Sequence, residues 1–167
     1  NGMNHNDITA EVASRAPDKF IPFMSVHPLD PASNEEYDRA IGDLGCKGMK
    51  IAPPYQFFDP VGEEAFKLYA RLSQDRLPIV FHQGTSPVWD APLMYGHPLL
   101  MDRIAMAFPD LKIVMAHLGH PWHTDTINVV RKHSNVWADV SAQSLRPWSF
   151  WNAMRLFHEW GVVEKLL

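Results

Sequence analysis

The sequence has few features that would direct the protein to a membrane, to nucleic acid or to an oxidising compartment. Cys46 is its only cysteine, which excludes an internal disulfide and is typical of a reducing environment. The formal net charge is −4 and no basic run appears, so a nucleic-acid partner is not expected. No apolar stretch has the roughly 20 residues of a membrane helix, and no signal pattern is seen. We therefore expect a cytoplasmic protein that acts on small molecules, without a nucleic-acid or membrane partner.

Phosphate-binding signatures are also missing. The sequence contains neither a GxGxxG pattern nor a phosphate-loop pattern, the two glycine-rich turns that cradle nucleotide phosphates at a helix N-terminus. Nucleotide or dinucleotide chemistry therefore has little support.

What the sequence does contain is an alternation of short apolar runs with helical patterns. The runs lack the polar alternation of a half-exposed strand, which favours parallel strands covered on both faces. Five such strands are predicted, at residues 20–27, 47–53, 77–84, 112–119 and 135–142. Between them lie helical patterns; Asn4 to Asp7 is expected to cap the first helix, and Ser33 with Glu36 to cap the second. The order of strand, loop and helix predicts a parallel α/β fold in a single domain over residues 1–167.

Two parallel architectures compete for this pattern. A five-stranded open sheet fits 167 residues comfortably, whereas an eight-stranded barrel typically needs about 250. The barrel is favoured by the polar residue that closes each apolar run, because catalytic groups converge at the carboxyl ends of barrel strands. These residues are His27, Lys50, His82, His117 and Ser141.

His82 and His117 stand at equivalent strand ends. Each alone is as compatible with a buried histidine bonded to backbone as with a functional role. Together they suggest a metal site, because zinc binds imidazole nitrogens held on rigid elements and keeps one position open for water.

Five segments of the chain resemble the amidohydrolase-related family of the metal-dependent hydrolase superfamily, which includes aminocarboxymuconate-semialdehyde decarboxylase. The segments are PDKFIPFMSVHPLDP, GCKGMKIAPPYQFF, LPIVFHQG, FPDLKIVMAHLGHPW and NVWADVSA. The resemblance implies a TIM barrel, of which about five of eight strand and helix units are present here. It implies that His82 is a metal ligand and that His117 orients or deprotonates the metal-bound water. Zinc is the expected cation, with manganese as the alternative.

Parts of the family pattern are not found in this sequence. The resemblance implies a His-x-His pair on a first strand and an aspartate after the last strand, and neither appears. We therefore expect a partial barrel that lacks the first strands and the last strand, with open edges that other parts of a longer protein or a partner chain cover.

Further residues are candidates for substrate binding. Lys50 would bind a substrate carboxylate, Trp89 and Tyr55 would stack on a ring, and His120 would shape the pocket. Asp139 and Ser141 share one face of a strand and are placed to polarise His117.

Three functions stay open at this point. The first is hydrolysis of a C–O or C–N bond in a small organic acid, ester or amide by metal-activated water. The second is non-oxidative decarboxylation of an aromatic or unsaturated acid, for which Lys50 and Arg146 are the available cations. The third is an inactive barrel fragment that only binds partners. For either enzyme we expect a homo-oligomer.

Overall fold

The computed structural model describes residues 4–167, so the first three residues of the predicted domain lie outside it. Its four strands form one parallel sheet in sequential order. They are β1 (Met49–Ile51), β2 (Ile79–Phe81), β3 (Ile113–Met115) and β4 (Val136–Ala138). Sequential parallel strands with a helix between each pair are the arrangement of a barrel, and they differ from the reversed order of a doubly wound sheet.

Seven α-helices lie within the same described part of the chain. They are α1 (His5–Ser14), α2 (Ser33–Gly42), α3 (Pro53–Gln56), α4 (Glu63–Gln74), α5 (Leu99–Ala107), α6 (His123–Lys132) and α7 (Pro147–Glu159). Short 3₁₀ turns follow β2, β3 and β4, at Leu93–Gly96, Ala116–Gly119 and Gln143–Leu145, and a fourth follows α7 at Val163–Lys165. In the described residues, no helix is long and apolar enough to cross a bilayer.

The first predicted strand is much shorter than expected. At residues 20–27 the chain makes a single parallel bridge, Met24 to Met49, with backbone hydrogen bonds to Gly48 and Lys50 on either side. Leu166 makes the corresponding bridge to Ala138 beyond β4. The sheet is therefore extended at both edges by isolated pairings rather than by full strands.

The two faces of the sheet differ in burial. One register row contains Met49, Ile79, Ile113 and Val136, all fully buried beneath the helices. The neighbouring row contains Lys50, Val80, Val114 and Trp137, and all of these are only partly buried. Alternate side chains point to opposite faces of a strand, so Lys50 and its row line the inner face of the curved sheet.

Candidate active site

A cleft of about 200 Å³ lies at the carboxyl ends of β2, β3 and β4. It is lined by Tyr55, His82, Gln83, Thr85, Pro87, His117, His120, Ala142, Gln143, Leu145 and Arg146. This is the end of a parallel barrel at which catalytic side chains converge. We call it the carboxyl-end cleft.

His82 and His117 meet in this cleft, as the sequence predicts. Their ring centroids are 5.0 Å apart, although a 3₁₀ turn, helix α5 and strand β3 separate the two residues along the chain. Tyr55 also packs against His82, with its ring centroid 4.8 Å from that of the imidazole. The structure therefore places three of the predicted site residues side by side.

His82 has a ring nitrogen available for a ligand. Its Nε2 is buried and has no hydrogen-bond partner among residues 4–167. Burial, reinforced by the charges of Lys50 and His117, lowers the pKa of His82 to about 4. The ring is consequently neutral at pH 7, and neutral imidazole is the form that binds metal ions.

The ring of His117 is oriented by Ser141 and Asp139. The Ser141 hydroxyl lies 2.7 Å from Nδ1 of His117 and donates to the Asp139 carboxylate. A hydroxyl has a single hydrogen and a carboxylate can only accept, so Nδ1 of His117 must be the donor to Ser141. The proton of the neutral ring thus lies on Nδ1, and the lone pair lies on Nε2. Burial and the charge of Lys50 lower the pKa of His117, which favours this neutral form.

Asp139 also holds the backbone of the loop. Its carboxylate accepts hydrogen bonds from the backbone N–H of His117 and of Ser141, each at 2.9 Å. The expected link from Asp139 to His117 is therefore present, but it reaches the ring through the Ser141 hydroxyl. A hydrogen bond to one ring nitrogen fixes the tautomer and the orientation of a functional histidine.

The loop after β3 has an unusual backbone. His117, Leu118 and Gly119 all have positive φ, at 62°, 53° and 63°. Left-handed conformations cost free energy for residues with a Cβ, and they concentrate at functional sites. A Cβ on Gly119 would lie 2.1 Å from Oγ1 of Thr126, so only glycine fits there.

The loops after β2 and β3 are joined directly. Gly84 has φ +102°, and a Cβ at this position would lie 2.3 Å from the carbonyl oxygen of His120. The N–H of the next residue, Thr85, donates to that carbonyl at 2.7 Å. Glycine is required for this close approach, which brings the His82 and His117 loops together.

The other predicted substrate-binding residues have different positions. His120 lines the cleft, with Nδ1 3.2 Å from the Ser149 hydroxyl. Lys50 lies on the inner face; its buried Nζ has no partner among residues 4–167, and burial lowers its pKa to about 8. Trp89 is not brought to the site, because its side chain is 94% exposed and does not line the cleft. His27, predicted only as the polar residue that closes the first strand, is hydrogen-bonded to the carbonyl of Gln56 and does not line the cleft.

Two glutamines in the cleft were not predicted from the sequence. Gln83 and Gln143 are each only 1% exposed and carry side-chain atoms without a hydrogen-bond partner in the described chain. Gln83 directly follows His82, so its position at a strand end was a usable signal. Gln143 follows no strand directly, and no sequence pattern marks it.

The fold and the paired histidines define a parallel α/β barrel protein with its site at the carboxyl end of the sheet. The sequence model of the amidohydrolase family matches residues 2–167, and the chain belongs to this family. The predicted family and partial TIM barrel are therefore confirmed.

Curated relatives and solved structures agree with this assignment. Gamma-resorcylate decarboxylase from Rhizobium radiobacter is 26% identical over 170 residues, which covers 81% of this chain and 49% of the relative. An uncharacterised TIM-barrel protein from Bordetella bronchiseptica superposes with a TM-score of 0.83 at 23% identity, over 99% of this chain and 59% of that chain. A 2,6-dihydroxybenzoate decarboxylase from Rhizobium has a TM-score of 0.65 at 17% identity, over 97% and 63%. The chain spans about half the length of the curated relatives it matches.

Proposed function

We propose that this chain forms the histidine-bearing part of a metal-dependent decarboxylase that releases carbon dioxide from an aromatic or unsaturated carboxylic acid. The observation that carries the proposal is the His82 and His117 pair in one cleft: Nε2 of His82 has no partner among residues 4–167, and Nδ1 of His117 is engaged by Ser141, which leaves its lone pair on Nε2. The similarity to gamma-resorcylate decarboxylase supports decarboxylation over the hydrolysis that the sequence alone placed first.

The described residues of the site supply some, but not all, of the ligands that a divalent cation requires. His82 supplies a buried neutral imidazole nitrogen with no other partner in the described chain, which is a suitable ligand for zinc or manganese. No group of three His, Cys, Asp or Glu residues that could hold a metal is found within residues 4–167. Further ligands would come from water, from the substrate or from residues outside this described set. When bound, the cation would withdraw electron density from the substrate.

Arg146 provides a cation for the substrate carboxylate. It lines the same cleft as His82 and His117, and its charge contributes to lowering the pKa of His117 and His120. A guanidinium offers planar paired donors that match a carboxylate. Lys50 supplies a second positive charge from the inner face, and Tyr55 supplies a ring on which an aromatic substrate would stack.

His117 would handle the proton that the reaction requires. Loss of carbon dioxide from a carboxylate leaves an electron pair on carbon, and one proton must replace the lost group. The Nε2 of His117 would take up a proton from the substrate or from solvent and return it to that carbon. The Ser141 hydroxyl would keep the other ring nitrogen engaged throughout.

The test is a product assay on the protein loaded separately with zinc and with manganese. Release of carbon dioxide from 2,6-dihydroxybenzoate, or from another acid of a panel, is the expected result. Acid release from esters or amides without carbon dioxide would instead support hydrolysis. Absence of both products, together with no bound metal, would support a module that only binds partners.

A matched pair of variants connects the assay to the site. His82→Ala removes the proposed ligand, whereas His158→Ala removes an exposed histidine on α7. Metal content measured by mass spectrometry should fall in the first variant and stay unchanged in the second. Equal metal content in both variants would contradict the proposed role of His82.

A further inference from the structure

Gln143 occupies an unusual position for an uncharged polar side chain. It lines the carboxyl-end cleft, is 1% exposed, and its Oε1 has no hydrogen-bond partner among residues 4–167. Burying a carbonyl oxygen without a donor destabilises the folded protein, because the oxygen loses its hydrogen bonds to water and gains none in return. An unpartnered acceptor that lines a cleft is therefore a candidate contact for a donor that the described residues do not supply, such as a group on a ligand.

The hydrogen bonds of the amide nitrogen fix the orientation of the Gln143 side chain. Nε2 of Gln143 donates to the backbone carbonyl of His117 at 2.8 Å and is also 3.4 Å from the carbonyl of Ser141. Carbonyl oxygens can only accept, so the amide nitrogen must lie on that side. Oε1 cannot exchange places with Nε2 without setting two oxygens against each other, and it therefore remains a pure acceptor.

Left-handed backbone conformations accompany the position of Gln143 in the cleft. The preceding residue, Ala142, has φ 59°, a left-handed conformation that is unfavourable for a residue with a Cβ. Three left-handed residues, His117 to Gly119, lie on the loop to which Gln143 bonds. Left-handed residues thus occur on both the loop after β3 and the loop after β4, and the contact between these loops positions the unpaired Oε1 of Gln143. Strained backbone of this kind is typical of functional sites.

Gln83 places a second amide in the same cleft. Both Oε1 and Nε2 of Gln83 are buried without partners in the described chain, and the residue is 1% exposed. An amide presents both a donor and an acceptor, so it matches a hydroxyl group, which also has both functions.

We propose that Gln143, assisted by Gln83, forms a specificity subsite that selects substrates carrying a hydrogen-bond donor such as a hydroxyl group. The substituent would donate to Oε1 of Gln143, in the cleft that His117 also lines. A carboxylate cannot occupy this subsite, because it has no hydrogen to donate. The inference rests on the proposed function for the identity of the site and adds a requirement for a donor on the substrate.

The experiment compares two ligands of similar shape on the 167-residue chain and its Gln143→Met variant. 2,6-Dihydroxybenzoate carries donors, and 2,6-difluorobenzoate carries none. In the native chain we expect the dihydroxy compound to bind at least about tenfold more tightly by calorimetry, as one satisfied buried acceptor predicts. In Gln143→Met this preference should largely disappear. Comparing the ratio between proteins removes the intrinsic differences between the two ligands.

Controls separate the subsite from general effects. Gln74→Met makes the same change on an exposed helix end and should keep the native preference. In the native chain, the ¹³Cδ resonance of Gln143 should move with the dihydroxy ligand and stay in place with the difluoro ligand, which tests the contact even if Gln143→Met does not fold.

Three results would overturn the subsite: the same ligand preference in the native chain and Gln143→Met, an unmoved Gln143 resonance, or no binding of either ligand. The product assay reports independently on decarboxylation. A changed preference without carbon dioxide release would leave the subsite standing and reject the proposed reaction. Carbon dioxide release with an unchanged ligand preference would support the proposed reaction and reject the subsite.

Discussion

Two polar clusters in this molecule are built in opposite ways. The cluster between α1 and α2, formed by Asn4, Asn6, Asp7, Glu36 and Arg39, joins its members in pairs. Arg39 donates to Glu36 and Asp7, and Glu36 also accepts from Asn4 and Asn6. The carboxyl-end cleft instead keeps buried nitrogen and oxygen atoms without partners in the described chain. A polar cluster whose members pair with one another stabilises the fold, whereas buried atoms without partners destabilise it and require another explanation, which the proposed ligand site supplies.

The largest expected effect comes from breaking the cleft at His117. If the chain catalyses the proposed decarboxylation, His117→Ala should lower the rate of carbon dioxide release by about 10²–10⁴-fold, the usual contribution of a positioned acid–base group. The free energy of unfolding should change little, because the lost ring hydrogen bond involves the exposed Ser141. Steady-state kinetics and urea unfolding of the same preparation test both statements. A small effect on the rate together with a large loss of stability would show that His117 stabilises the fold instead of taking part in the reaction.

The paired cluster should respond in the opposite way. Asn6 is 4% exposed; it exchanges hydrogen bonds with the backbone of Ser25, at 2.7 and 3.1 Å, and donates to Glu36. Asn6→Ala leaves these groups unpaired and should reduce the free energy of unfolding by about 2–3 kcal/mol. Urea unfolding measures the loss, and the affinity for 2,6-dihydroxybenzoate should be unaffected. A variant as stable as the native chain would show that this cluster contributes nothing.

The pH dependence sharpens the comparison further. Burial lowers the pKa of His82 to about 4, from an ordinary value near 6.5. Between these values the unfolded chain binds the proton and the folded chain does not, so this contribution to stability is lost as the pH falls from about 6.5 to 4. Each unit of lowered pKa corresponds to about 1.4 kcal/mol. The free energy of unfolding of His82→Gln should therefore fall less steeply between about pH 6.5 and pH 4 than that of the native chain.

His123 provides the reference for that experiment. Burial lowers its pKa to about 4 as well, but it lies on α6 and does not line the cleft. His123→Gln should reduce the acid sensitivity to a similar extent while leaving metal binding intact. If neither variant changes the slope of stability against pH, buried histidines do not control acid unfolding here.

The smallest expected effect has the opposite sign. Gln83 buries both amide atoms without a partner in the described chain, so Gln83→Met keeps the shape and removes an unsatisfied group. The free energy of unfolding should rise by about 1 kcal/mol while ligand affinity falls. Thermal unfolding of the variant measures the gain in stability, and calorimetry measures the loss of ligand affinity. Destabilisation by Gln83→Met would mean that its amide is already satisfied in the protein.

Much of the fold and part of the site could be predicted from the sequence because they depend on local patterns and on barrel geometry. Asn4 caps α1 with a capping box through Asp7, as expected. His82 and His117 meet because parallel strands end at the same edge of the sheet. The second capping prediction was wrong: α2 begins at Ser33 after Ala32, and Glu36 bonds Arg39 and Asn6 instead.

The remaining features depend on contacts that no local pattern contains. Glu36 has a stronger partner in the guanidinium of Arg39 than in a backbone N–H, so tertiary pairing overrides the local motif. Gln143 enters the cleft because Ala142 adopts a left-handed conformation, which the sequence does not indicate. Trp89 lies in a long loop, and loop position could not be derived from strand order. The role assigned to Trp89 in substrate binding stays a prediction.

The close approach of Gly84 to the carbonyl of His120 has a consequence for engineering. Gly84 and Thr85 are held against the segment that follows His117, so the position of each loop depends on the other. Transplanting either loop alone from a relative would separate the imidazoles or force a steric clash at Gly84. New substrate preferences should therefore be sought by exchanging both loops together.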